Sequence, residues 1–91
     1  MTIQMGRHKF DDVVYDAVGD VLYLHKGKPG PAAKTDATPE GHAVMFDELG
    51  EIIGITVVNA KWLAERDGQI TISMPEQIET TASELAPALV A

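Results

Sequence analysis

Two apolar segments, each split by an acidic turn that carries a glycine, constrain this chain more than any other feature in it. The first runs Val13-Val14-Tyr15, turns at Asp16-Ala17-Val18-Gly19-Asp20, and resumes as Val21-Leu22-Tyr23-Leu24. The second runs Ala43-Val44-Met45-Phe46, turns at Asp47-Glu48-Leu49-Gly50-Glu51, and resumes from Ile52 to Val58. β-Branched and aromatic runs on both sides of a short acidic segment with Gly near its end predict hairpins, the Gly supplying the positive φ that such a turn needs. The expected strands are 10–15 and 21–26 in the first hairpin, and 42–46 and 52–58 in the second.

The segments around the hairpins complete the expected fold. Lys26-Gly27-Lys28-Pro29-Gly30-Pro31 ends a strand, because its prolines lack the N–H a ladder needs, and a loop of about ten residues is expected to follow. Asn59 to Arg66 suits a short helix stopped by Asp67-Gly68. Gln69-Ile70-Thr71-Ile72-Ser73-Met74 alternates polar and apolar, as a half-buried strand does. Pro75-Glu76 opens a helix on which Ile78, Ala82, Leu85, Ala86 and Leu89 recur at helical spacing, with Pro87 interrupting it. The fold class read from this pattern is α+β: a single domain over 1–91, with an antiparallel sheet of about four to six strands built from the two hairpins and 69–74. A C-terminal helix over 75–91 packs on one face, and residues 1–9 are expected to be flexible.

The central strands also bear on assembly. In Ile52 to Val58, both alternate sets (Ile53, Ile55, Val57 and Ile52, Gly54, Thr56, Val58) are largely apolar, which predicts that both sheet faces are covered. One amphipathic helix covers one face, so the other needs the segment around Trp62 or another chain. A homodimer is the favoured expectation, with a self-association surface drawn from Tyr23, Ile53, Ile55, Val57 and Trp62. A chain of 91 residues buries only about 60–65% of its unfolded surface, which leaves apolar area for a partner.

Charge and composition narrow the function classes. Residues 1–35 hold five Lys/Arg and four Asp/Glu, whereas residues 36–91 hold two and ten, giving +1 and −8 and a net charge of −7. An acidic chain without a basic cluster is a poor nucleic-acid binder, but its second half would attract a small basic protein. The absence of cysteine removes disulfides and thiolate metal sites. No run of signal-peptide or membrane-spanning length is present, so no membrane association and a cytoplasmic location are expected.

The chemistry-bearing residues are few. Asp16, Asp20 and Asp47 at the turns, with His25 and His42 at strand ends, are candidates for a metal site, since His25 ends one strand and His42 begins another at one edge of the sheet. Asp at a turn is more simply an acceptor for nearby backbone N–H groups, and the full calcium-loop spacing is absent. Ser73 and Ser83 lie in no nucleophile elbow, and Gly27-Lys28-Pro29-Gly30 lacks the phosphate-loop spacing. No catalytic residue and no cofactor are assigned. The leading reading is a non-catalytic, self-associating interaction or regulatory module. The alternative is a small enzyme or metal- or ligand-binding protein with its site at a dimer interface.

Tyr15-Asp16-Ala17-Val18-Gly19-Asp20-Val21-Leu22-Tyr23-Leu24 resembles the opening Tyr-Asp-x-x-x-Asp-x-Leu-Tyr-Ile pattern of the small prokaryotic domain-of-unknown-function family catalogued as 2283. Asp47-Glu48-Leu49-Gly50-Glu51-Ile52-Ile53-Gly54-Ile55, continuing to Ala60, resembles the second half of that pattern, so the likeness covers residues 13–60. Thr56 and Asn59 stand where the family is commonly acidic. The resemblance brings no established activity and no catalytic residues. It implies a partner-binding or antitoxin-like role, because some relatives are encoded beside small toxin-like proteins.

Overall fold

The chain, seen in a computed structural model that describes residues 1–28 and 30–90, opens with a hairpin of β1 (Ile3–Met5) and β2 (His8–Phe10). Gly6, at a φ of 60°, begins the two-residue turn between them. The first nine residues are therefore not a flexible lead. Alternation turns Ile3, Met5, His8 and Phe10 inward, and all four are buried.

Both hairpins read from the sequence form, as β3 (Asp12–Asp16) with β4 (Val21–His25), and, further on, β6 (Ala43–Phe46) with β7 (Ile52–Val58). The expected loop between them contains a further strand, β5 (Lys34–Ala37), paired with β6. All four of its residues are exposed, so no hydrophobic alternation signals it. The five strands make one antiparallel sheet in the order β3-β4-β7-β6-β5.

Helix α1 (Ala60–Asp67) follows and ends at Gly68 in the left-handed region, as Asp67-Gly68 predicts. Next comes β8 (Gln69–Ile72), which pairs with β9 (Ile78–Thr81) in a separate two-stranded sheet and does not join the hairpins. The helix expected over 75–91 is shorter. It comprises α2 (Ala82–Leu85) and a 3₁₀ turn over Ala86–Ala88. A capping box sets its start: Thr81 Oγ1 accepts the Glu84 amide at 3.2 Å, and Glu84 Oε1 accepts the Thr81 amide at 3.0 Å. Ile78 and Leu85 are buried as the helical pattern requires, but Ile78 reaches the core from a strand, opposite Ile72.

The molecule is α+β, with one core between the five-stranded sheet and everything else. Leu22, Leu24, Val44, Ile55 and Val57 line the inner face of the sheet. Phe10 and Met5 from the first hairpin, Ile70, Ile72 and Ile78 from the β8–β9 sheet, and Ala60, Ala64 and Leu85 from the helices pack against them in one cluster. A β-bulge interrupts the β6–β7 ladder, since Met45 pairs with Gly54 but Phe46 pairs with Ile52. The bulge upsets the simple alternation of β7, so Ile52 joins the core while Ile53 is half-buried. No helix among the described residues is long and apolar enough to cross a membrane.

Candidate functional site

Strand alternation gives the sheet an outer face that the helices among the described residues leave uncovered. One cross-strand row on it runs Val14, Tyr23, Thr56, Ala43, set by the registers of β3 on β4, β4 on β7 and β6 on β7. Val14 is 54% exposed and Tyr23 46%, and Val58, opposite Val21, is 38% exposed. The row is uncharged. Beside it the Met45 and His25 side chains close over Gly54, where an added Cβ would stand 2.8 Å from Met45 Cε and 3.1 Å from His25 Cδ2. Of the five residues expected on a self-association surface, only Tyr23 lies in this row. Ile55 and Val57 are fully buried on the inner face, and Trp62 stands on α1, whose Ala60 and Ala64 enter the core. A strand with two apolar faces does not reveal which face its own chain covers.

Asp20, weighed from the sequence as a metal ligand, has a different task. It sits in the left-handed region at a φ of 53°, and its Oδ1 accepts the Tyr15 hydroxyl at 2.7 Å and the Lys61 amide at 2.8 Å. Its Oδ2 accepts the Trp62 amide at 3.1 Å, and its carbonyl accepts the Ala60 amide at 3.0 Å. Asn59, the residue preceding α1, makes no side-chain cap, so the carboxylate from the turn between β3 and β4 satisfies the helix N-terminus in its place. Burial opposes the charge, but the Lys61 amide, the Tyr15 hydroxyl and the Trp62 amide outweigh it and hold the carboxyl below its ordinary value. The same bond pushes the Tyr15 hydroxyl up to about 12.

The remaining candidate ligands are also occupied locally or kept apart. Asp16 Oδ1 accepts the Val18 and Gly19 amides, and Asp47 Oδ1 accepts the Leu49 and Glu51 amides, both as turn-closing side chains. His25 lies level with Gly54, whereas His42 lies at the other end of β7, where its Nδ1 accepts the Val58 amide at 3.1 Å. The strand-end histidines are therefore not brought together at one edge. Among the described residues no group of three or more His, Asp or Glu is arranged to hold a metal ion.

Two buried imidazoles were not legible as such. His42 lines a cleft of about 360 Å³ with Glu40, Leu63, Arg66, Gln69 and Thr71. Accepting the Val58 amide at Nδ1 fixes its proton on Nε2. His8 meets Lys26 Nζ at 2.9 Å through Nδ1 and Glu76 Oε2 at 3.2 Å through Nε2, while Arg7 forms a two-pronged pair with Glu76 at 2.7 and 3.0 Å. Burial pushes both imidazoles below their ordinary value of 6.5. The folded chain thus prefers them neutral, and the unfolded chain binds more protons once the pH drops past that value. Their contribution to stability is complete above about pH 6.5 and is lost progressively below it, toward the lowered folded values. Urea unfolding midpoints are expected to fall between about pH 7.5 and about pH 5.5, and a midpoint that rises over that interval contradicts this account.

A family model described as "Protein of unknown function (DUF2283)" matches residues 12–61. No curated protein and no solved structure matches the chain significantly. The matched segment begins with β3 and ends at Lys61, whose amide Asp20 caps, so the family pattern encloses the β3–β4 and β6–β7 hairpins and, short of the Trp62 amide, the lock that joins them to α1.

Proposed function

We propose that this protein, which belongs to the DUF2283 family, is a non-catalytic, self-associating interaction module in which a second copy covers the outer face of the five-stranded sheet. The observation that carries the reading is the uncharged row of Val14, Tyr23, Thr56 and Ala43, on a face over which none of the described helices packs and where Val14 and Tyr23 stand exposed. A chain of net charge −7 meets its own copy most readily where its acids are absent, and this row is such a place. A basic partner would be drawn to the acidic residues elsewhere, so the centre of this face suits a second copy better. The acidic second half then remains available to a small basic protein, in the regulatory or antitoxin-like role expected from the family.

Light scattering at micromolar concentration is expected to give wild-type protein a mass above that of the monomer. Tyr23→Glu should lower that mass, because it inserts a charge into the apolar row of both copies at once. Tyr23 is exposed, so the variant should keep the wild-type circular dichroism spectrum. A Tyr23→Glu protein with unchanged mass would remove the outer face from the account.

A further inference from the structure

We propose that β5 is a strand-pairing edge for a second copy of this chain, joining two five-stranded sheets edge to edge about a two-fold axis at Thr35. The proposal rests on the self-association reading above, but it uses the edge of the sheet and not its outer face.

β5 is the last strand of the sheet, and every residue in it is exposed. The Thr38 amide donates to the His42 carbonyl at 2.8 Å, just beyond the ladder in which Ala37 faces Ala43 and Asp36 faces Val44. Antiparallel alternation then turns the backbone groups of Lys34 and Asp36 toward β6 and leaves the N–H and C=O of Thr35 and Ala37 pointing outward. A two-fold axis through Thr35 lets the two Thr35 residues exchange both backbone hydrogen bonds. It also sets Lys34 of each copy opposite Asp36 of the other, in the non-hydrogen-bonded pairs where side chains come closest. Within one chain these residues already pair, Nζ to Oδ2 at 3.2 Å, and both side chains remain accessible.

The neighbouring two-fold registers fail on charge. An axis at residue 34 opposes two lysines, and one at residue 36 opposes two aspartates, each destabilising. The other edge of the sheet behaves differently: an axis through Val14 of β3 brings Asp12 of each copy against Asp16 of the other. Charges on an edge strand commonly keep edges apart. Those of β3 do so against a second copy in that register, whereas those of β5 select one register and stabilise it.

The test uses full-length protein in sedimentation equilibrium, with Tyr23→Glu present to remove the outer-face contact. That variant is expected to retain a dimer. Adding Lys34→Glu should raise its dissociation constant by at least about tenfold, as like charges placed opposite do, and adding Asp36→Lys to both should restore it. A Tyr23→Glu protein that is monomeric throughout overturns the edge while leaving the outer face in place. If Tyr23→Glu leaves the wild-type assembly intact and Lys34→Glu abolishes it, the outer-face reading fails and the edge stands. Charge reversal without effect on a retained dimer also overturns the proposal.

Discussion

Replacing Asp20 with Ala is expected to lower the free energy of unfolding by about 2–4 kcal/mol, an unusually large effect for a half-exposed turn residue. Three losses combine. The Lys61 and Trp62 amides lose the carboxylate that caps them, typically about 1–2 kcal/mol for a helix cap. The Tyr15 hydroxyl loses a charge-assisted partner at 2.7 Å. Ala must also hold a φ of 53°, which Asp tolerates and Ala does not, at about 1–2 kcal/mol. Asp20→Asn keeps an acceptor oxygen and the left-handed preference, so it should cost less than Ala, and Tyr15→Phe should cost only about 1 kcal/mol. Because the folded carboxyl is held below its ordinary value, its stabilisation is present above about pH 3.8 and is lost as the pH falls through the folded value. Denaturant melts of the three variants test this directly. An Asp20→Ala midpoint equal to that of wild type would mean that α1 is held by packing alone.

Phe10→Ala is expected to cost about 3–5 kcal/mol, the range for emptying a fully enclosed aromatic site. Phe10 is inaccessible to solvent, stands opposite Ile3, packs near the His8 ring and has the Lys26 ammonium 5.8 Å from its ring centre. Trp62→Ala, although it removes the larger ring, should cost only about 1 kcal/mol or less. Trp62 is 54% exposed, and its notable contact is the Arg66 guanidinium 4.4 Å above the ring. The ordering Phe10 over Trp62 is what a structural first hairpin requires. Equal costs, or a Phe10 variant as stable as wild type, would show that β1 and β2 are loosely attached.

The two main hairpins were legible because hydrophobic alternation and turn glycines agree over both segments. β5 was not, since Lys34-Thr35-Asp36-Ala37 has no buried side chain and pairs with β6 through its backbone. The bulge at Phe46 was equally silent, and it confounds a strict period of two along β7, which had grouped Ile53 with Ile55 and Val57. Pro75-Glu76 and the later apolar spacing read as one helix from residue 75, but the Thr81–Glu84 capping box places the start at Ala82, seven residues further on. At the level of the site, Asp20 looked like a cation ligand because local spacing says nothing of its partners, Lys61 and Trp62, which lie beyond the second hairpin. The family likeness joins the two segments without stating what joins them. The lock from Tyr15 through Asp20 to the start of α1 supplies that reason in hydrogen bonds.

Sedimentation velocity of the wild-type chain, run from low micromolar to several hundred micromolar, reports whether the sheet face meets a second copy. If the outer sheet face meets a second copy, the sedimenting species shifts above the 9.8 kDa monomer as concentration rises. A single monomeric species across the whole range contradicts it.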